Sequence, residues 1–316
     1  MKKKYILFSI INSLKLDENT SFIIQDWTIT NNKEFIIKNI PNVENLIKYL
    51  GESFVEKLLT NPIALKIIET SDNPNYIIHN ESSHLNGLLS MIWMKFDNCI
   101  GTYTQCIQST DGNSISSNFR NSFVNDAKGS YSEFHLTSEL INQIDKDKLV
   151  RNYEYLFRII KKEKSTEIKK AFRADLENDF IKLNRIQRSF LLLNIARTNS
   201  FLPMKIAFYI NVLECILLDV DSELSLRLRL NASNLIGENK KEKELIMSTI
   251  NKAYSVRSKF FHGSEIKLTK EKLENLSSEI DDLTRRIIIK SNTISEIINT
   301  TNTNIRDDYF KSILFT

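Results

Sequence analysis

The sequence predicts an α+β protein, with a mixed α/β N-terminal domain over residues 1–145 and an all-α helical bundle over residues 146–316. Short stretches rich in Ile, Phe and Thr are mixed with helical periodicity in the first part, whereas helical periodicity is nearly continuous after about residue 145. A length of 316 residues suits about two domains. Only four prolines and seven glycines argue against a loop-rich all-β fold.

The N-terminal part is predicted to alternate strands and helices. Strands are expected at residues 5–11, 21–29, 34–40, 100–107 and 118–125, with a turn at 109–114. Apolar residues at three- and four-residue steps predict a helix over 43–58, and the Asn-Pro pair at 61–62 ends it. Further helices are expected at 63–69 and 85–96, and the polar residues 72–82 suggest a loop.

The C-terminal part is predicted to be helical throughout. Apolar stripes indicate helices over 149–160 and 186–196, and residues 206–218 are apolar on nearly all sides, which predicts a central buried helix. In residues 224–230 leucines alternate with polar residues, as in a strand. An N-cap at Asp221 or Ser222 and a helix stop at Gly237 nevertheless favour a helix. Two longer helices are expected from Lys241 to Phe261 and from Lys270 to Ile298.

Composition and charge leave several classes of partner open and exclude others. A net charge of +4 permits a nucleic-acid partner without requiring one. The basic run after residue 160 (Lys161, Lys162, Lys164, Lys169, Lys170, Arg173) is either a solvated face or a contact for an RNA backbone. No segment approaches the roughly 20 apolar residues of a membrane span, so no membrane partner is expected.

Cysteines and histidines predict no metal site and no cofactor. Three cysteines, an odd number without metal-ligand spacing, are typical of a reducing compartment, and we expect a cytoplasmic protein (Cys99, Cys106, Cys215). The basic, apolar N-terminus favours a first strand over a signal peptide, because no cleavage site follows it. The N-terminal histidines lie near no ligand cluster in the sequence (His79, His84, His135).

Arg257 projects into the middle of the apolar face of the helix over 241–261. Burying a cation costs several kcal/mol unless a partner compensates it. Arg257 is therefore either functional or paired structurally with Glu214 or Glu223. His262 stands one residue past the predicted helix end, as a functional imidazole or as a helix-capping one. Arginine and histidine at this spacing lie about 140° apart on a continuous helix, so their side chains cannot converge unless the helix ends between them. Gly263 is the residue that would let the helix end.

An arginine and a histidine suit RNA cleavage without a metal ion. The 2′-hydroxyl attacks the adjacent phosphorus, which requires a base, an acid and a cation for the phosphate. Histidine exchanges protons near neutral pH, and arginine offers a planar fork of donors to phosphate. One chain supplies one such histidine at this site, so acid and base together would require a symmetric dimer.

Three stretches in the second half, 205–218, 222–237 and 253–263, together resemble the Apea-like branch of the HEPN superfamily. They are the central helix with Glu214, the segment from Ser222 to Gly237, and an Arg-x4-His motif. The resemblance covers roughly residues 145–316. It implies a helical bundle that dimerises through the motif helices. It also implies an RNA-binding, metal-independent ribonuclease, a hydrolase acting in antiviral defence or as a toxin.

Carried over by position, the resemblance implies Arg257 and His262 as the catalytic pair. Ser258 occupies the polar position after the arginine. Glu223 matches an acidic position and would orient Arg257, although a charge that favours the helix N-terminus explains it equally.

Two alternatives to a nuclease follow from the same residues. A non-catalytic HEPN module for dimerisation and nucleotide or nucleic-acid binding is favoured by Ser258 and the modest net charge. A DNA-binding regulator would require a base-reading recognition helix, and the sequence offers none. The first 145 residues are expected to sense a trigger ligand or protein, or to restrain the nuclease.

Overall fold

A computed structural model describes residues 2–118, 123–144, 183–219 and 222–314. The chain is α+β, as predicted. Taking the described residues, it divides into a sheet unit, Met1–Val124 with Tyr131–Tyr155, and a helical unit, Asn125–Ser130 with Leu156–Thr316. This differs from a single break at residue 145, because a six-residue segment from the first half belongs to the helical unit. The predicted helix over 149–160 and the basic run at 161–173 lie outside the described residues.

The sheet unit is built on a six-stranded antiparallel sheet in the order β3-β4-β5-β1-β6-β7. A separate parallel pair joins β2 to β8. The strands are β1 (Lys3–Asn12), β2 (Leu14–Leu16), β3 (Ser21–Ile24), β4 (Trp27–Thr30), β5 (Ile63–Thr70), β6 (Gly101–Ser109), β7 (Ile115–Asn118) and β8 (Phe134–Leu136). The helices are α1 (Lys33–Asn39), α2 (Val43–Leu50), α3 (Glu52–Thr60), α4 (Pro74–Lys95) and α5 (Ser138–Gln143).

A compact apolar core lies between the sheet and helices α1–α3. Alternate residues of β1 (Ile6, Phe8 and Ile10) pack there with Ile36 of α1 and Leu46 of α2. Every residue of β1 from 5 to 11 is buried, as expected for a strand in the interior of the sheet. The predicted strands over 5–11 and 100–107 are therefore confirmed as β1 and β6.

Two short apolar runs in the sheet unit were assigned to the wrong type of element. Residues 34–40 form helix α1 rather than a strand, because the Asn32 side chain accepts the Phe35 N–H and starts a helical turn. Residues 63–69 form strand β5 rather than a helix, between β4 and β1. Apolar runs this short fit either periodicity. Strand pairing decides the outcome for residues 63–69, and the Asn32 cap decides it for residues 34–40.

Four other stretches of the sheet unit also differ from prediction. The expected strand over 21–29 is a hairpin of β3 and β4, and the helix over 43–58 is divided into α2 and α3 at Gly51, whose φ is 86°. The predicted loop over 72–82 is the first half of α4, where Asn73 caps the helix and Pro74 occupies its first turn. Strand β7 covers Ile115–Asn118, before most of the strand expected over 118–125; residues 123–125 are not in a strand, and residues 119–122 lie outside the described part.

The helical unit confirms the helices predicted between residues 186 and 298, and it contains one further helix, Thr303–Ser312, that was not predicted. The helices are α6 (Arg185–Thr198), α7 (Leu202–Leu217), α8 (Leu224–Ile236), α9 (Lys240–Phe261), α10 (Lys270–Thr293), α11 (Ser295–Ile298) and α12 (Thr303–Ser312). We call α7 the central helix, since it is mostly buried and packs against α6, α9 and α10, and α9 the motif helix. The predicted helix over 270–298 is divided at Ile294 into α10 and α11. Helix α8 has Glu223 (φ 54°) as its N-cap residue, whereas Asp221 or Ser222 was expected there.

The segment Asn125–Ser130 is tied into the helical unit by several hydrogen bonds. The Asn125 N–H donates to the Arg197 carbonyl at 2.8 Å. The buried Lys205 ammonium donates to Asn125 Oδ1 at 2.6 Å and to the Ala196 carbonyl at 3.2 Å. The chain thus leaves the sheet unit for six residues, bonds to α6 and the central helix, and returns at Tyr131.

Across the described ranges, no helix is long and apolar enough to cross a membrane. The three cysteines are free thiols, Cys99 and Cys106 buried and Cys215 half-buried.

Candidate functional site

The motif helix ends where the sequence predicts, and its end is a Schellman motif. The Gly263 N–H donates to the Phe260 carbonyl at 3.3 Å, and the Ser264 N–H donates to the Lys259 carbonyl at 2.8 Å. Gly263 has φ 69°, a left-handed conformation that glycine adopts without steric cost. His262 is the C-cap residue, and its side chain is exposed.

The Arg257 guanidinium is held by two side chains of the central helix. Its Nε donates to Asn211 Oδ1 at 2.9 Å, and its Nη2 donates to Glu214 Oε2 at 3.0 Å. About a quarter of the Arg257 side chain remains exposed. Within the described residues Nη1 makes no hydrogen bond. The arginine is thus fixed in one orientation with one nitrogen unused.

Glu214 is an incompletely satisfied carboxylate. One oxygen accepts from Arg257, but Oε1 is buried and has no hydrogen-bond partner within the described part of the chain. Burial raises the pKa of Glu214, and the Arg257 charge opposes that effect without cancelling it. The pair is therefore an ion pair at a partly desolvated position, where the arginine stabilises the ionised form of the acid.

Aromatic rings surround the same guanidinium. Its Cζ lies 5.4 Å from the centroid of the Tyr254 ring and 5.9 Å from that of Phe261, within the range of cation–π contacts. Phe260 contacts Phe261 with centroids 5.3 Å apart and contacts Phe201 at 5.8 Å. Phe201 precedes the central helix, so both helices contribute rings to this surface.

The structure places the other predicted site residues differently. Glu223 does not contact Arg257; its carboxylate lies 3.9 Å from Arg227 on the same helix and is largely exposed. The carboxylate that orients Arg257 is Glu214, which corrects the role expected for Glu223. Ser258 is half-buried, and its backbone carbonyl accepts the His262 N–H at 3.0 Å.

His262 and Arg257 are not joined in the described chain by a hydrogen bond. The ion pair with Glu214 agrees with the structural interpretation of Arg257, which expected a pairing with Glu214 or Glu223. What remains for a functional interpretation is the unused Nη1, the exposed quarter of the arginine and the exposed imidazole. Asn211 was not anticipated, although Asn211 and Glu214 are polar residues three apart on an otherwise apolar helix, and such residues share one face.

The sheet unit contains a second polar cluster that the sequence did not predict. Lys66 is buried on β5, and its ammonium lies 2.7 Å from Asp26 and 2.6 Å from Glu81. The His84 ring lies beside Glu81 and accepts the Trp27 indole N–H at 3.4 Å. These charges compensate one another inside the unit. Throughout the described chain, no group of three or more His, Cys, Asp or Glu residues is arranged to hold a metal ion.

No family model, curated protein or solved structure matches this chain.

Proposed function

We propose that the helical unit is a HEPN-type, metal-independent endoribonuclease that acts as a homodimer. The observation that carries this proposal is the guanidinium of Arg257, fixed by Asn211 and Glu214 yet partly exposed, on a helix that ends at an exposed histidine. A fixed, partly exposed arginine is pre-organised for a phosphate oxygen, because little conformational freedom is lost on binding. Nη1 is the donor free to make that contact.

Cleavage would follow from in-line attack within the RNA. One His262 imidazole takes the proton of the 2′-hydroxyl, whose oxygen bonds to the adjacent phosphorus. The bond from phosphorus to the 5′-oxygen breaks, and a second, protonated imidazole gives its proton to that oxygen. Arg257 stabilises the charge that develops on the other phosphate oxygens. The products are a 2′,3′-cyclic phosphate and a 5′-hydroxyl.

The reaction requires two imidazoles, and the motif helix supplies one. A second copy related by two-fold symmetry would bring another His262 and another Arg257 to the same phosphate. The exposed end of the motif helix leaves both residues accessible to such a partner. Dimerisation through the motif helices is therefore part of the proposal.

A non-catalytic HEPN module for dimerisation and nucleotide or nucleic-acid binding is the second candidate. The ion pair between Arg257 and Glu214 favours it, because this pair accounts for the arginine without any substrate. For either function, the proposed setting is cytoplasmic antiviral defence or a toxin system. The sheet unit would then sense a trigger or restrain the helical unit.

One assay distinguishes the two candidates. The purified full chain is incubated with several RNA pools in EDTA, beside Arg257→Ala and His262→Ala, and product ends are tested for 2′,3′-cyclic phosphate. A nuclease loses about a hundredfold or more of its rate in His262→Ala.

Arg227→Ala is the matched control, since Arg227 is an exposed arginine on the neighbouring helix whose loss should not reduce the rate. Cleavage that persists in His262→Ala would contradict the assigned chemistry. RNA that stays intact with the unsubstituted protein as well as with every variant, in samples that are dimeric by sedimentation, would favour the binding module.

A further inference from the structure

Phe261, which lies beside Arg257, and Phe201, which is linked to it through Phe260, are both exposed although they lie next to well-packed helices. Phe201 is 57% exposed and Phe261 is 55% exposed, and Phe260 lies between them in contact with both rings. Single exposed apolar residues are common on protein surfaces and need no explanation. Here three rings contact one another in series, and the ring at one end, Phe261, lies beside the fixed guanidinium; we call Phe201, Phe260, Phe261 and Arg257 the aromatic surface.

Helix formation does not explain the phenylalanine at position 201. It is the N-cap residue of the central helix and makes no side-chain capping hydrogen bond, at a position where Ser, Thr, Asp or Asn is preferred. Its ring contacts Phe260 and is otherwise directed largely to solvent. A large apolar side chain at such a position gives the fold little stability, which points to a ligand.

The charge around the aromatic surface identifies the kind of ligand. Residues 252–270 contain five lysines and arginines (Lys252, Arg257, Lys259, Lys267, Lys270) and one carboxylate, Glu265. Arg257 pairs with Glu214, Lys267 with Glu265 and Lys270 with Glu274. The excess positive charge of this segment therefore comes from Lys252 and Lys259, which form no ion pair within the described residues. A flat aromatic face beside an excess of positive charge matches a nucleobase with its phosphate. Bases stack on aromatic rings and guanidinium planes, whereas lysines and arginines contact the strand's phosphates.

We propose that Phe201 and Phe261 stack unpaired bases of a single-stranded polynucleotide whose phosphate is bound by Arg257. This rests on the proposed function only in taking a nucleic acid as the ligand, because stacking requires no cleavage. It restricts the substrate to single-stranded or looped regions, since bases inside a duplex are unavailable to the rings. The two residues determine strand preference and do not act in the chemical step.

Phe261→Trp in the full-length protein supplies a direct readout. The native tryptophans, Trp27 and Trp93, are buried in the sheet unit, so the new exposed indole reports on the aromatic surface. The ligand is a ten-residue deoxythymidine strand, which lacks the 2′-hydroxyl and cannot be cleaved by the proposed route. A strand of equal length with abasic residues carries the same phosphates without bases.

We expect the thymidine strand to quench the new indole and to bind about tenfold more tightly than the abasic strand. Phe201→Ala and Phe261→Ala, tested separately, should each weaken binding of the thymidine strand by about tenfold. The dependence of affinity on salt should stay unchanged, since no phosphate contact is removed. Leu245→Ala is the matched control: Leu245 is an exposed apolar residue of the motif helix outside the aromatic surface, and affinity should not change.

Three results would overturn the inference. They are equal binding of the two strands, unchanged affinity in both phenylalanine variants, and dissociation of a dimer into monomers in either variant. The last would assign the rings to a contact between copies of the chain. Failure of the nuclease proposal looks different: strands bind and quench the indole, yet RNA with a 2′-hydroxyl stays intact.

Discussion

Removal of the Arg257 guanidinium should leave Glu214 as a half-buried carboxylate without its cation. A hydrogen bond to a charged group contributes about 1.5–3 kcal/mol and a neutral one about 1 kcal/mol. Arg257→Ala loses one bond to the Glu214 carboxylate and one to the Asn211 amide oxygen. Together the two bonds amount to about 2.5–4 kcal/mol when fully buried. Because a quarter of the arginine is exposed, solvent screening should reduce the cost to about 2 kcal/mol of unfolding free energy near pH 7.5.

This cost should depend on pH with a defined sign. Burial raises the pKa of Glu214 in the folded state, so its contribution to stability is complete below the unfolded pKa and is lost as pH rises through the folded pKa. Arg257 opposes that loss by favouring the ionised form. Without the arginine the pKa of Glu214 rises further, and the loss at neutral pH becomes larger. Near pH 4 the acid is largely protonated, and the cost of Arg257→Ala should fall to about 1 kcal/mol.

The assay must report on the helical unit, because both tryptophans belong to the sheet unit. Urea unfolding followed by far-ultraviolet circular dichroism detects the helices of both units, and tryptophan fluorescence measured in parallel identifies the part of the change that belongs to the sheet unit. Adding Glu214→Gln to Arg257→Ala should recover about 1 kcal/mol near pH 7.5, because it removes the uncompensated charge. The matched control is Arg227→Ala, whose exposed pair with Glu223 at 3.9 Å should contribute less than about 0.5 kcal/mol at either pH. A cost for Arg257→Ala that is equal at both pH values, or no recovery with Glu214→Gln, would refute this reasoning.

Three further substitutions test the geometry that supports the site, each by urea unfolding. Gly263→Ala should cost about 1 kcal/mol from backbone strain alone, since φ is 69° and an added Cβ meets no atom within 4 Å. Asn125→Ala should cost about 2 kcal/mol, because it removes one acceptor of the buried Lys205 ammonium. Asp219→Asn should cost about 3 kcal/mol, since the buried Asp219 carboxylate pairs with the buried Arg306 guanidinium.

Each of these substitutions has a control nearby. Gly263→Asn should be milder than Gly263→Ala, because asparagine tolerates the left-handed region better. Lys128→Ala, at an exposed position in the same segment as Asn125, should change stability by less than about 0.5 kcal/mol. Asp308→Asn, on an exposed carboxylate of α12, should likewise have little effect. Equal losses in a variant and its control would show that the named contact does not carry the energy.

Sequence periodicity predicted the long helices of the helical unit, missed the first half of α4 and failed where elements are short. The motif helix has an apolar face, an Asn239 cap and a glycine after its end, and all three features indicate the same helix. By contrast, residues 34–40 and 63–69 are apolar runs of seven residues, which suit a strand or a helix equally. Residues 63–69 become a strand because β5 pairs with β1 and β4, whereas residues 34–40 become a helix after the Asn32 cap. The capping residues Asn32 and Asn73 were the local indications of helices in the stretches predicted as a strand and a loop.

The candidate site was predictable in its residues and not in its contacts. Arg257 was recognisable because a cation on an apolar face needs a partner, and both Glu214 and Glu223 were available in the sequence. The choice between them depends on how the central and motif helices pack, which periodicity alone does not determine. Asn211, three residues before Glu214, shares its face of the central helix and marks where the arginine docks.

A double substitution tests whether the Arg257–Glu214 pair serves stability or function. A partly buried ion pair is weak support for stability, because its desolvation cost offsets much of the attraction. Here Oε1 of Glu214 also lacks a hydrogen bond, which adds to that cost. Replacing both residues by apolar ones of similar size, Arg257→Met with Glu214→Leu, should therefore leave the unfolding free energy unchanged or increase it by about 1 kcal/mol or more. If the pair serves to present a cation to phosphate, the same double variant should lose RNA cleavage or strand binding although it folds normally. A double variant that is much less stable, with RNA cleavage or binding undiminished per folded molecule, would show instead that the pair holds the helices together and has no part in function.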